Sequence, residues 1–271
     1  QRGYEVILAE AGARLGGRLC DEAALPGLAS WLRVADHRIH QLRRMGNVRI
    51  LPDNRLAADD ILGAGCQQVF LATGSRWRRD GLGRQHRAPL LAAPIAQVLG
   101  PSEVFAGAPV ASPLVIYDDD HYVLAGALAE RFARAGFAVT LLTPASKVSA
   151  WTEYTLEQPR IHARLLELGV QVATAVELLA ITPDTAGLAL SISSIHEMRP
   201  QRLECASLVL VTMRDPDDEL AQALHARNDE WADAGIRRVR CVGDALAPGT
   251  VAAAVYGGHR AARELDLDID P

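Results

Sequence analysis

Gly3-Tyr4-Glu5-Val6-Ile7-Leu8-Ala9-Glu10 is the stretch on which the fold turns. A short apolar run ending in an acid reads as the second strand of a dinucleotide-binding unit, with Glu10 placed to hold a ribose. Val6-Ile7-Leu8-Ala9 carries no alternation, as expected of a parallel strand buried on both faces. The Gly-rich phosphate loop of such a unit lies about 20 residues before its acid. Only nine residues precede Glu10, so the expectation is a unit whose first strand and phosphate loop are missing.

Val242-Gly243-Asp244-Ala245, near the other end, reads as the return strand of a flavoprotein-type domain with an aspartate at a helix entrance. Pro248-Gly249-Thr250 follows, and then a helix rich in small residues that can pack close to a ligand with its N-terminus toward an anion. The plainer reading of Asp244 is a helix cap. Val69-Phe70-Leu71-Ala72 is a strand running into Thr73-Gly74, where a glycine lets backbone approach a bound dinucleotide.

Between these ends the pattern alternates strand and helix. Leu28 to Met45 has helical spacing, Val48 to Leu51 is a strand, and Ile61-Leu62-Gly63 closes a short helix. Arg76 to Pro113 is rich in Pro, Gly and Arg and reads as an irregular connection. A second strand–helix–strand unit follows: Leu114 to Tyr117, Val123 to Ala135, and Ala138 to Leu142. Tyr154 to Leu168 reads as a helix, and Val170–Val172 and Leu178–Ile181 as strands. Leu188 to Ile195 alternates like a half-exposed antiparallel strand. Leu208 to Val211 is a buried strand, Leu220 to Ala232 a helix, Val239 to Val242 the last strand and Thr250 to Glu264 the closing helix. The fold expected is α/β: two Rossmann-like units of the glutathione-reductase type, the second inserted in the first. Residues 1–110 and 237–271 form an FAD/ADP-binding-like domain, and residues 111–236 an NAD(P)-binding-like domain with a degenerate site.

The degeneracy is written in one turn. After Leu114–Tyr117 a nicotinamide site needs glycines, but the chain has Asp118-Asp119-Asp120-His121. Like charges 4 Å apart repel by about 1 kcal/mol in water and by more where the dielectric is lower. The next strand ends in Thr143-Pro144, with no acid for a ribose. NADH and NADPH are therefore not expected to bind here. A metal site from Asp118, Asp120 and His121 is weighed against a solvated acidic loop, and the loop is favoured. Trp151-Thr152-Glu153-Tyr154 opens a helix with capping chemistry and reads as structural.

Bulk properties narrow the function. With 271 residues, a net charge of −5 and 49% hydrophobic residues, the chain fits a globular protein, and nothing favours nucleic acid or an anionic membrane. No apolar run approaches the ~20 residues of a membrane helix. Cys20, Cys66, Cys205 and Cys241 form no CxxC pair, so buried, reduced thiols in a cytoplasmic protein are expected, with no metal site. No catalytic triad or paired catalytic carboxylates stand out, and no catalytic residue is assigned.

Together the tracts GYEVILAEAGARLGGRL (3–19), LPGLASWLRVADHRIHQL (25–42) and VFLATGS (69–75) resemble the ADP-binding domain of the trimethylamine dehydrogenase group. That group includes dimethylamine dehydrogenase, histamine dehydrogenase and demethylases of N-methylated amino acids, and is related to 2,4-dienoyl-CoA reductase. The tract from Ile116 to Val170, with its acidic DDDH turn, is the more specific match, as are 208–224 and 241–266. The resemblance spans essentially the whole chain. It implies the C-terminal segment of a larger oxidoreductase acting on C–N bonds. In such enzymes an N-terminal barrel of the same polypeptide holds FMN and substrate, and a 4Fe-4S centre passes electrons to an electron-transferring flavoprotein. ADP or FAD occupies the C-terminal part, and the full enzyme is a homodimer. Carried over by position, Glu10 holds the adenosine ribose. Gly16, Gly17 and Arg18 line the adenine and phosphate side, and Thr73, Gly74, Gly243 and Asp244 the pyrophosphate side. Two other readings stay in view: an FAD-dependent NAD(P)H oxidoreductase of the pyridine-nucleotide-disulfide type, and a non-catalytic ADP-binding module.

Overall fold

A computed structural model describes residues 2–185, 187–197 and 199–266. In chain order the elements are β1 (Val6–Ala9), α1 (Arg18–Glu22), α2 (Leu32–Arg43), β2 (Val48–Leu51), α3 (Ala58–Leu62), β3 (Gln68–Leu71), β4 (Ser75–Trp77), β5 (Val98–Leu99), α4 (Pro101–Phe105), β6 (Leu114–Asp118) and α5 (Val123–Arg134). They continue with β7 (Val139–Leu142), α6 (Gln158–Glu167), β8 (Gln171–Ala173), β9 (Val176–Asp184), β10 (Gly187–Ser194), β11 (Gln201–Cys205), β12 (Ser207–Val211), β13 (Arg214–Pro216), α7 (Glu219–His225), β14 (Arg238–Cys241) and α8 (Val251–Arg263). The chain divides into two compact units: residues 1–23, 30–76 and 215–271 form the first, and 24–29 and 77–214 the second. Residue 1 and residues 267–271, which the sequence assigns to the first domain, lie outside the described residues.

The second unit is built on a parallel sheet of order β5-β12-β6-β7-β8. Leu114 to Asp118 and Ser207 to Val211 are buried at every position, as continuous apolar runs in the middle of a covered sheet must be. α5 crosses from β6 to β7 and buries Leu124, Ala127, Leu128 and Phe132, the face its spacing predicts. Gly136, with φ +86°, ends that helix. An antiparallel sheet of order β11-β10-β9 belongs to the same unit. Val115, Tyr117, Leu208 and Leu210 share one buried cluster with Leu178, Ile181, Leu188 and Leu190 of that sheet. Each such leucine contributes about 1.5–3 kcal/mol by leaving water.

The first unit holds two separate parallel pairs, β1 with β2 and β14 with β3. Its core gathers Ile61 of α3, Leu71 of β3, Ala221 and Leu224 of α7, Ile236, and Val239 of β14.

Several expectations are corrected. Val6–Ala9 is not buried on both faces: Val6 is 42% and Ile7 50% exposed, because among the described residues β1 pairs with β2 alone. The boundaries of the inserted unit fall at 77 and 214, not at 111 and 236. The stretch 77–110 is not a mere connection, since β5 adds an edge strand to β12, while α7 packs in the core of the first unit. The helix expected over Tyr154–Leu168 begins at Gln158, after a 3-10 turn over Ala150–Glu153. The helix expected over Leu220–Ala232 ends at His225. β11, with polar residues at most positions, gave no apolar signal and was not foreseen. All four cysteines are free, but only Cys205 is buried.

Candidate functional site

In the first unit the Gly-rich turn after β1 leads directly into α1. Gly16 has φ +124°, and a Cβ there would lie 2.8 Å from Cys20 Sγ, so the turn requires glycine. Gly17 is the N-cap, and Arg18 opens the helix. The Arg18 guanidinium then makes three contacts. Its Nε donates to Asp244 Oδ2 at 2.8 Å, one Nη pairs with Glu22 a helical turn on, and the other donates to the Gly249 carbonyl at 2.6 Å. Asp244 is 8% exposed and Glu22 4%. Burial by itself would weaken the hold of Arg18 on its proton, but the two carboxylates outweigh it and raise its pKa.

Asp244 is more than a partner for arginine. Its Oδ2 also accepts from Ser75 Oγ at 3.0 Å, and its Oδ1 accepts the Gly249 N–H at 3.0 Å. It therefore ties the turn after β3 and the approach to α8 to the Gly-rich turn after β1. Gly243 has φ +60° and sits against Ala254 of α8. Thr250 Oγ1 caps that helix by accepting the Ala253 N–H at 3.2 Å.

Thr73 and Gly74 face another partner. Thr73 Oγ1 donates to the Asp217 carbonyl, the Gly74 carbonyl accepts the Asp217 N–H at 2.9 Å, and Arg76 pairs with the Asp217 carboxylate at 3.0 Å. Glu10 stands at the end of β1, with its carboxylate accepting the Gly12 N–H at 2.8 Å. Its backbone bonds to Leu51 and Asn54. The structure thus joins Arg18 to Asp244 and sets Thr73 and Gly74 on Asp217, with Glu10 held locally. Ser75, Glu22 and Asp217 were missed. Glu22 was readable as the i+4 partner of Arg18, whereas Ser75 and Asp217 carried no local signal.

In the second unit the acidic turn after β6 is no solvated loop. Asp118 and Asp119 are fully buried, and this corrects the sequence reading. Asp118 Oδ1 accepts the His121 N–H at 2.8 Å. Burial pushes its pKa up to about 8, with Asp120 and Asp119 adding to the rise and the His121 N–H opposing it. Asp119 takes its own bond from backbone: Gln85 N–H donates to Oδ2 at 2.9 Å. His121 Nε2 lies 3.5 Å from Asp119 Oδ1, and Nδ1 lies 3.4 Å from Thr143 Oγ1. Burial, helped by the nearby Arg84 charge, lowers the His121 pKa to about 4, so the ring is neutral at neutral pH. This line of acid, imidazole and hydroxyl is not a nucleophilic triad, because Thr143 is wholly buried and its oxygen accepts the Ala145 N–H. Among the described residues no group of three or more His, Cys, Asp or Glu side chains could hold a metal ion, and no helix is long and apolar enough to cross a membrane.

Residues 99–182 match the family model described as the OYE-like second alpha/beta domain. Dimethylamine dehydrogenase of Hyphomicrobium sp. (strain x) is 34% identical over 297 residues, an alignment that takes in 100% of this chain and 40% of that protein. Among solved structures, histamine dehydrogenase from Rhizobium sp. 4-9 superposes with a TM-score of 0.93 at 42% identity, covering 99% of this chain and 41% of its own. The 6-hydroxypseudooxynicotine amine oxidase from Pseudomonas geniculata N1 gives a TM-score of 0.88 at 37% identity, covering 96% and 38%. The chain thus spans about two fifths of the length of the relatives it matches, and these relatives are oxidoreductases named for amines.

Proposed function

We propose that this chain is the C-terminal, nucleotide-binding-like part of a larger amine dehydrogenase or demethylase. The observation that carries the reading is the likeness to histamine dehydrogenase over 99% of the chain at 42% identity. The match to a second alpha/beta domain supports a place after a first, catalytic domain. In the whole enzyme FMN would accept hydride from the carbon next to the amine nitrogen, leaving an imine that water hydrolyses. A 4Fe-4S centre would pass the electrons to an electron-transferring flavoprotein. The four free cysteines of this chain are not grouped for such a cluster among the described residues, so its ligands would come from elsewhere in the polypeptide. The homodimer and the location in the cytoplasm belong to the same proposal.

This chain's own contribution is an adenosine site for ADP or FAD in the first unit. The donor set fits: Glu10 is an acceptor at a strand end, suited to ribose hydroxyls, and the glycines after β1 and β3 bring backbone close. Asp244 acts as a positioning residue in this reading. Both of its oxygens are engaged, and they fix Arg18 and the approach to α8. The two-stranded sheets β1–β2 and β14–β3 leave strand edges that suit a further strand supplied by the rest of the polypeptide. A free-standing NAD(P)H oxidoreductase is disfavoured by Asp118 and Asp119 in the second unit.

The test uses the complete gene product. Its intact mass is expected far above 29.1 kDa. After denaturation it should release FMN and a stoichiometric adenosine diphosphate moiety, and dimethylamine or histamine should bleach the flavin anaerobically. A product of 29.1 kDa with no flavin would remove the amine dehydrogenase reading.

A further inference from the structure

The second unit contains a loop whose tip lies where an open parallel sheet normally receives its ligand. In the order β5-β12-β6-β7-β8 the chain runs from β6 outward to β7 and β8 and returns on the other side of β6 as β12. The crevice beyond the carboxyl ends of β6 and β12 is the switch point where such sheets bind nucleotides. The Asp119 and Asp120 N–H groups both donate to the Val211 carbonyl there, drawing the two strand ends together.

Residues 80–91 form an Ω-shaped loop. The Asp80 carbonyl accepts the N–H of Leu90 at 2.7 Å and of Leu91 at 3.1 Å, closing its base. At the tip the Gly83 N–H donates to the His86 carbonyl at 3.0 Å. The tip presses on the crevice: Gln85 gives its N–H to Asp119 Oδ2 at 2.9 Å. Gly83 lies so close that a Cβ would stand 2.2 Å from Asp119 Oδ2 and 3.2 Å from Thr212 Cβ. Three side-chain contacts hold it in place. The Arg84 guanidinium lies 5.2 Å above the Trp151 ring, Gln85 Nε2 donates to Glu177 Oε2 at 2.8 Å, and the His86 and Tyr117 ring centroids are 6.4 Å apart.

We propose that Gly83–His86 is a built-in occupant of this crevice, and that the second unit is closed to dinucleotides by its own chain. The polarity of an ordinary phosphate site is inverted. Where a ligand would bring the anion and the strand end the amides, here the strand end brings the carboxylate of Asp119 and the loop brings the amide. Asp118 completes the inversion by taking the His121 N–H at the turn into α5. Two obstacles therefore act together, the acceptor oxygens of the buried carboxyl groups where a phosphate needs donors, and the filled volume. The proposal holds whether or not the amine dehydrogenase reading does.

Hydrogen exchange on the complete gene product tests it. The Gln85 amide should exchange far more slowly than in a free peptide. Asp119→Ala should speed it by at least about tenfold while Val115–Tyr117 of β6 stay protected. Gly83→Ala, which expels the tip sterically while leaving both carboxylates, should give the same signature and serves where Asp119→Ala does not fold. Free-peptide exchange at Gln85 in the unaltered protein would overturn the proposal, as would protection indifferent to Gly83→Ala. So would loss of that protection on adding NADH, since a displaceable tip is not a resident one.

Discussion

Arg18 Nε and Asp244 Oδ2 meet at 2.8 Å across 226 residues of sequence, in a pair that is 27% and 8% exposed. Neither end of that bond is intelligible alone. Without the aspartate the guanidinium would keep Glu22 and the Gly249 carbonyl, and without the arginine two carboxylates would be left in a largely dry turn.

Removing the arginine should therefore be the more damaging change. Breaking a buried ion pair from one side costs about 3–5 kcal/mol. Arg18→Ala should approach the upper end, because it removes the cation beside both Asp244 and Glu22, and Asp244→Asn the lower. Urea unfolding of the two variants checks the order, and equal losses would show that Glu22 does not share the load.

Gly187 supplies a second stability prediction. Its φ is +139°, and a Cβ would stand 2.5 Å from the Cys205 carbonyl oxygen, a backbone atom that cannot swing aside. Gly187→Ala should cost about 2–4 kcal/mol, most of it felt where β10 meets β11. Thermal unfolding measures the loss, and a change below about 1 kcal/mol would mean that the two strands are less rigidly registered.

The buried acid and imidazole give opposite pH dependences. Asp118, raised to about 8, keeps its proton in the folded state after the unfolded chain has released it, so its contribution is present at low pH and lost as pH rises through about 8. His121, lowered to about 4, stays neutral when the unfolded chain is charged, so its contribution grows from about pH 4 to its ordinary value of 6.5. The two oppose one another below pH 6.5. Above it Asp118 contributes a fall of at most about 1.4 kcal/mol per pH unit up to about pH 8, and Asp119, also raised by burial, acts in the same direction. Melting temperatures at pH 6.5 and 8 test this, and Asp118→Asn should flatten the difference.

NADH and NADPH should not bind the second unit. Calorimetry on the complete gene product should give no saturable heat at millimolar nucleotide that localises to Asp118–His121. A saturable isotherm abolished by substitution in that turn would refute the expectation.

Glu10→Gln should weaken retention of an adenosine diphosphate moiety in the complete enzyme by roughly tenfold, the loss of about one charge-assisted bond. Dialysis followed by chromatography of the released nucleotide is the measurement. Unchanged retention would place the adenosine elsewhere.

What the sequence determined by itself is local. The unbroken apolar runs Leu114–Tyr117 and Leu208–Val211 become the centre of the parallel sheet, and Leu124, Ala127, Leu128 and Phe132 become the buried face of α5, because spacing within a dozen residues dictates which side of an element is dry. The sequence likewise showed that the turn after Tyr117 has lost its glycines. Tertiary structure alone decided where charges end up. An aspartate run looks the same in sequence whether it is wet or dry, and only the packing of residues 83–86 and 211–212 against it turns Asp118 and Asp119 into buried groups held by backbone amides. The same holds for Arg18 and Asp244, and for β1, whose apolar run is half exposed because among the described residues its sheet ends at β2. Hydrophobic periodicity is a property of neighbours along the chain, whereas burial of a charge, and the partner that compensates it, is a property of whatever the fold brings from far away.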